Sequence, residues 1–129
     1  MEYLFILGRI ILGGFFLKNG INHLKNSKGL AGYAESKGVP APKLSVLVTG
    51  IMLLLGGLGI LLGVYVEFAV LLLVLFLLGT IAKMHAYWTV EDPMAKMTEN
   101  VNFYKNLALI GALLMLLSIP APWAMSLGL

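Results

Sequence analysis

The sequence predicts an all-α integral membrane protein: a bundle of four transmembrane helices with a short interfacial helix in the first loop. The composition is the first observation, since 60% of the residues are hydrophobic, 12% are charged and the mean hydropathy is +0.94. Soluble domains are only about 45–50% apolar. The second observation is that the apolar residues form four runs, each about as long as a membrane-crossing helix needs, roughly 20 residues. We therefore expect a single membrane domain over residues 1–129.

The four spans are placed near residues 3–23, 43–62, 64–83 and 101–119. The first is expected to be retained rather than cleaved, because Glu2 stands where a signal peptide is basic and Arg9 interrupts the apolar run. Gly63 turns the chain between the second and third spans, which predicts an antiparallel helical hairpin. Pro120 ends the fourth span, and Trp123 is expected at the membrane interface.

The first loop carries its own helical pattern. Ser27 is expected to cap a short helix in which Leu30, Tyr33 and Ala34 share one face, and Gly38 is expected to end it. A short helix with one apolar face next to membrane spans is expected to lie on the membrane surface.

The lysines predict the orientation, because loops on the cytoplasmic side are enriched in Lys and Arg. Seven lysines lie in or beside the first and third loops: Lys25, Lys28, Lys37, Lys43, Lys83, Lys96 and Lys105. The opposite side has only Arg9. We therefore expect a multi-pass protein of the cell membrane with loops 1 and 3 in the cytoplasm and both termini outside. The scattered lysines form no basic stripe, so no nucleic-acid partner is expected.

This topology brings polar side chains of three helix ends to one membrane level. The candidate ligand-binding residues are Lys18, Asn19, Asn22, His23, His85, Trp88, Lys105 and Asn106. Imidazole and amide groups can donate or accept hydrogen bonds, which suits a polar head group. Each residue also has a purely structural interpretation: the lysines can extend to the interface, the tryptophan can join an aromatic belt, and the amides can link helices.

Two charged residues near the opposite side are expected to pair. Arg9 lies inside the first span and Glu67 begins the third, at the same predicted membrane level. An ion pair would neutralise both charges, which are costly at membrane depth. This pair is predicted to be structural.

No redox or metal centre of the chain's own is expected. The sequence has no cysteine, which excludes thiol exchange and cysteine-held iron–sulfur clusters. The carboxylates Glu91, Asp92 and Glu99 match no metal-ligand spacing, and they are expected to be solvated near the start of the last span. His23 and His85 alone are weak evidence for haem, so neither metal nor haem is predicted.

Several segments of the chain resemble proteins of the DoxX family. They are GRIILGGFFLKNGINHL (Gly8–Leu24), GVPAP (Gly38–Pro42), GGLGILLG (Gly56–Gly63), HAYW (His85–Trp88), EDP (Glu91–Pro93) and FYKNLALIGALL (Phe103–Leu114). The resemblance covers almost the whole chain. One departure is the lack of an acidic residue over residues 49–55, where many family members have a glutamate in the second span.

The resemblance implies a four-helix membrane fold and an association with respiratory or redox assemblies. The leading hypothesis is therefore a membrane subunit, or small redox-linked protein, that binds a quinone-type ligand and works with a partner oxidoreductase. It is not expected to be catalytic alone. A second hypothesis is a non-catalytic membrane module for assembly or docking, and a third, less favoured, is a small-solute transporter. The expected partners are the lipid bilayer, a quinone and either a protein of a redox complex or a second copy of the chain.

Overall fold

The computed structural model describes residues 2–124 and 126, and none of these residues forms a strand. Five α-helices follow one another: α1 (Glu2–Lys25), α2 (Ser27–Ser36), α3 (Pro42–Leu62), α4 (Val66–Lys83) and α5 (Pro93–Leu116). A 3₁₀ turn, Tyr87–Thr89, lies in the connection between α4 and α5. The predicted all-helical class is confirmed for this part of the chain.

Three segments are long and apolar enough to cross a membrane: Glu2–Lys25, Pro42–Leu62 and Val66–Thr89. The fourth predicted crossing is not among them, although α5 is as long as α1. Its first half contains one lysine, two asparagines and one glutamate, which lower its mean hydropathy. The crossing of the membrane by α5 stays a prediction, as does the interfacial position of α2.

Glycines set the close packing of α1 against α3. A Cβ atom on Gly57 would lie 2.9 Å from the carbonyl oxygen of Gly13, and one on Gly20 would lie 3.0 Å from that of Gly50. Position 13 therefore faces 57 and position 20 faces 50, so the two helices run antiparallel. Small residues at such crossings let helix backbones approach each other closely.

The predicted hairpin of the second and third spans is present as α3 and α4. Gly63 ends α3 with a left-handed backbone (φ 68°), a conformation that glycine adopts without steric cost. Along this contact a Cβ atom on Gly56 would lie 2.5 Å from Leu73, and one on Gly59 would lie 2.5 Å from the Cβ atom of Ala69. One helix therefore presents glycines to both of its neighbours.

The helices pack in the order α1, α3, α4, α5, and α2 lies against α3. The main core contains Phe16, Leu53, Ile60, Leu73 and Leu113, all almost fully buried. A smaller cluster of Ala31, Ala34 and Val46 attaches α2 to α3. Within the described residues α1 and α5 do not pack directly on each other, which leaves a gap between them.

Two local expectations need correction. Ser27 is the first residue of α2 rather than its cap, and the capping residue Asn26 makes no side-chain cap bond. The last helix begins at Pro93 instead of near residue 101, because Asp92 accepts a hydrogen bond from the backbone N–H of Ala95 at 2.9 Å and Pro suits a first helical position. Trp123 is buried within the protein, and its position at the membrane interface stays a prediction.

Candidate ligand-binding site

A cavity of about 160 Å³ lies in the gap between α1 and α5. Its lining comes from four helices and from the connection after α4. The lining residues are Phe15, Phe16, Asn19 and His23 of α1, Leu53 of α3, Phe76, Leu77 and Thr80 of α4, His85, and Asn106 of α5. Four of the predicted binding residues, Asn19, His23, His85 and Asn106, are thus brought together around one space.

His23 is held by α3 through one ring nitrogen. Its Nδ1 lies 3.3 Å from the carbonyl oxygen of Val46 and 3.2 Å from the Thr49 hydroxyl, which itself donates to the carbonyl of Ser45 at 2.6 Å. The edge of the ring also meets Phe76, with ring centroids 5.7 Å apart. The ring is therefore oriented by protein contacts on its Nδ1 side, which leaves Nε2 for a ligand.

His85 is held by a buried carboxylate. Its Nδ1 lies 3.3 Å from Oε2 of Glu99, a residue that is only 6% exposed. Lys37 places its ammonium 3.5 Å from the same oxygen, and Asn102 donates to Oε1 at 3.3 Å. One carboxylate therefore joins the end of α2, the connection after α4 and the first turns of α5.

Two polar groups of the lining are already engaged by the backbone of their own helices. Thr80 already donates its hydroxyl proton to the carbonyl of Phe76 at 2.8 Å, so its oxygen has only lone pairs left for a ligand. Asn19 donates one amide hydrogen to the carbonyl of Phe15 at 3.0 Å, which leaves its carbonyl oxygen and one N–H. Asn106 completes the lining from α5.

The other four predicted binding residues lie outside this lining. Lys18, Asn22 and Lys105 are exposed, and the side chain of Asn22 accepts a hydrogen bond from Asn26. Trp88 borders a neighbouring groove of about 400 Å³, which Lys37 and Lys83 also line. The α1 and α5 residues of this group turn away from the cavity because their positions on the helices differ from those of Asn19, His23 and Asn106.

An aromatic cluster fixes the connection that carries His85. Tyr87 meets Trp88 and Phe103 edge to face at 5.3 and 5.4 Å between ring centroids, and Trp88 meets Phe103 at 5.7 Å. Tyr104 extends the cluster along α5. Edge-to-face aromatic pairs add stability beyond the area that they bury, so the segment after α4 is anchored to α5.

Sequence reasoning missed Glu99, which was expected to be solvated. The signal was its spacing on the helix: Glu99, Asn102 and Asn106 lie three and seven residues apart, which places them on one face of α5. This shared face can be recognised only if the helix begins at Pro93, because the predicted span began at residue 101 and left Glu99 outside it.

Arg9 occupies the opposite end of the bundle. It is 4% exposed, and it donates to the carbonyl oxygens of Ile60 at 3.3 Å and Leu61 at 3.1 Å and also to that of Ala124. Phe5 and Trp123 lie against the guanidinium, with their ring centroids 5.6 and 5.5 Å away. Backbone carbonyls and aromatic faces therefore stabilise this cation.

The predicted partner of Arg9 is not among these contacts. Glu67 is exposed, and it makes no ion pair within residues 2–124 and 126. The described part of the chain also contains no cluster of three or more His, Asp or Glu side chains that could hold a metal ion.

Two comparisons with known proteins found matches to this chain. The family model described as DoxX matches residues 4–86. An inner membrane protein of Escherichia coli (strain K12), YphA, is 31% identical over 124 residues, which are 96% of this chain and 87% of that protein. No solved structure matches the chain significantly.

Proposed function

This chain belongs to the DoxX family of membrane proteins, and we propose that its cavity between α1 and α5 binds the head group of a quinone-type molecule. In this proposal the protein is a membrane subunit, or small redox-linked protein, that works beside a partner oxidoreductase. The observation that carries it is the meeting of two histidines and two amides with three phenylalanine rings around one cavity.

The size and lining of the cavity suit a single aromatic ring. An apolar cavity of about 150 Å³ accepts benzene, and this one measures about 160 Å³. Phe15, Phe16 and Phe76 provide ring faces and edges, against which a flat ring packs favourably. The polar groups of His23 and His85 would then meet the oxygens of the ring.

An isoprenoid tail also has a route out of the cavity. Phe15 lines the cavity and is 43% exposed, so the cavity reaches the outer surface of the bundle at α1. A tail leaving beside Phe15 would enter the lipid, where apolar chains are favoured.

The composition of the chain supports the proposal of a redox partner. The sequence has no cysteine, and quinone reduction or oxidation draws its electrons from a cofactor such as a flavin, haem or metal. A neighbouring oxidoreductase would supply that cofactor. This chain would bind and orient the ring.

Organic extraction and mass spectrometry of protein purified in mild detergent test the proposal. We expect a stoichiometric quinone with the wild-type chain and its loss in His23→Ala and in Asn106→Ala. Lys105→Ala is the matched control, because it lies on α5 next to Asn106 but outside the cavity. A quinone lost equally from the control, or only lipid in every sample, would contradict the proposal.

The second candidate function is a docking or assembly module. Exposed Lys18, within an apolar helix, is the observation that favours it, because a cation facing lipid at that depth needs a polar partner or a route to the interface. A photo-crosslinking residue at position 18 should then join one protein of reproducible mass, whereas the same residue at Leu24, exposed and about 120° further round α1, should not. Crosslinks to lipid alone at both positions would eliminate this candidate.

A further inference from the structure

We propose that the cavity prefers the reduced, dihydroxy form of its ring ligand over the oxidised quinone, and that Glu99 sets this preference through His85. The inference rests on the proposed function for the identity of the ligand. It concerns whether the Nε2 atom of each imidazole presents a hydrogen or a lone pair to that ligand.

His23 has its tautomer set by α3. The carbonyl of Val46 can only accept a hydrogen bond, so the Nδ1 atom 3.3 Å away must carry the hydrogen. The Thr49 hydroxyl gives its own proton to Ser45, and it too can only accept from this nitrogen. In the neutral imidazole Nε2 is then unprotonated and offers a lone pair.

His85 has its tautomer set by Glu99. An ionised carboxylate only accepts, so Nδ1 again carries the hydrogen and Nε2 offers a lone pair. Lys37 and Asn102 donate to the same carboxylate, which keeps both of its oxygens in the accepting role. Glu99 is therefore a positioning residue, because it acts on a ligand only through the ring of His85.

These tautomers give the cavity a surplus of acceptors. The acceptors are the Nε2 atoms of His23 and His85 and the hydroxyl oxygen of Thr80, which donates its own proton to the carbonyl of Phe76. A hydroquinone offers two O–H donors to these acceptors. A quinone offers only carbonyl lone pairs, for which the described lining has amide N–H groups of Asn19 and Asn106 alone as donors. A buried acceptor left facing another acceptor is costly.

Substitutions at Glu99 and Lys37 can switch the tautomer of His85, because these residues determine which group faces its Nδ1 atom. In Glu99→Gln, Lys37 still requires an oxygen at the Oε2 position, so the Gln carbonyl faces His85 and the tautomer is retained. In the double variant Lys37→Met with Glu99→Gln, no cation holds the Gln oxygen at the Oε2 position, and the Asn102 amide keeps its present orientation and donates to that oxygen at the Oε1 position. The Gln NH₂ group then donates to Nδ1, and the hydrogen of His85 moves to Nε2.

Nitrogen NMR of the ligand-free protein reads this directly, because the chain has only two histidines. At pH 8, where free imidazole is neutral, both rings should carry the hydrogen on Nδ1 in the wild type and in Glu99→Gln. His85 alone should switch in the double variant, and Lys37→Met is the matched control without a switch. An Nε2-protonated His85 in the wild type would overturn the inference.

Anaerobic titration with a 1,4-benzoquinone bearing one prenyl tail, and with its hydroquinone, completes the test. We expect the wild type to bind the hydroquinone roughly tenfold more tightly, the effect of one or two net hydrogen bonds. The double variant should lose or reverse that ratio. Equal binding or a quinone preference in the wild type would overturn the inference and leave the proposed function intact. If the wild type bound neither the quinone nor the hydroquinone, both the inference and the proposed function would be overturned, even if NMR found the expected tautomers.

Discussion

The two buried charged residues of the described chain are stabilised in different ways. Arg9 donates to backbone carbonyls near the end of α3, which have no partner within the helix because they belong to its last turn. Glu99 is instead surrounded by an ammonium, an amide and an imidazole. The first arrangement joins the carboxyl-terminal segment to the bundle, and the second orients a residue of the candidate site.

Replacing Arg9 by Met should destabilise the protein by roughly 1–3 kcal/mol, because buried carbonyls of α3 lose a charged donor. Glu67→Gln should change stability by less than about 0.5 kcal/mol, as is usual for an exposed substitution. Reversible unfolding in mixed micelles measures both. Equal losses of stability in the two variants would support the ion pair that the sequence predicts.

At the scale of helices, glycine positions decide how closely α1 and α3 approach. A Cβ atom at Gly57 would lie 2.9 Å from the carbonyl oxygen of Gly13 and 2.9 Å from the backbone nitrogen of Leu17. Backbone atoms cannot move aside as a flexible side chain can. The two helices must therefore separate to accommodate any side chain at position 57.

Gly57→Ala should consequently cost about 1–3 kcal/mol, the usual range for overpacking. It should also weaken any ligand in the cavity, whose α1 side would shift. Gly14→Ala is the matched control on α1, because a Cβ atom there meets nothing within 4 Å, and it should be neutral or slightly stabilising. Thermal unfolding in detergent gives the unfolding midpoint of each variant. Similar midpoints for Gly57→Ala and Gly14→Ala would show that α1 and α3 can move apart at little cost.

The start of α5 shows what hydropathy leaves out of a sequence-based prediction. Apolar runs locate segments that lipid can accept, so they placed the last span near residue 101. Helix formation begins instead where backbone donors are satisfied, at Asp92 and Pro93. The extra two turns carry Glu99, which is why that residue could not be assigned to the site from the apolar run alone.

Asp92→Ala should therefore fray the first turn of α5 and cost about 1 kcal/mol. Hydrogen exchange should become faster in the amides of residues 94–97, and Glu91→Ala should leave them unchanged, since its exposed side chain makes no hydrogen bond within the described residues. Protection that survives Asp92→Ala would mean that packing on α4 alone fixes this end.

Part of the candidate site was predictable because the topology brings three helix ends to one level. That argument fixes depth in the membrane, and four of the residues that it grouped, Asn19, His23, His85 and Asn106, line one cavity. It does not fix rotation about each helix axis, which depends on the glycine contacts of α1 and on the face that α5 turns to α4. Lys18 and Lys105 were therefore grouped with the site although they point away from it.

At the scale of the whole molecule, the packing order α1, α3, α4, α5 leaves the first and last helices unpaired along the cavity. Two polar residues of α5 face inward, with Glu99 buried and Asn106 on the cavity wall, whereas Lys96 and Lys105 are exposed. Val101 and Leu107 are among its exposed residues. The average hydropathy of α5 therefore counts inward-facing polar groups that lipid does not meet, and lysines can extend to the interface. Its 24 residues span roughly 36 Å, more than the hydrocarbon core.

We therefore expect α5 to cross the membrane, with loops 1 and 3 on the cytoplasmic side as the lysines predict. The absence of cysteine in the sequence makes single substitutions unique labelling sites. In intact cells an impermeant maleimide should label Tyr65→Cys and Ser118→Cys, whereas Lys28→Cys and Glu91→Cys should react only after permeabilisation. All four positions are exposed. Ser118→Cys behaving like Glu91→Cys would show that α5 stays on one side, and the reverse pattern at all four sites would invert the orientation while leaving the four crossings in place.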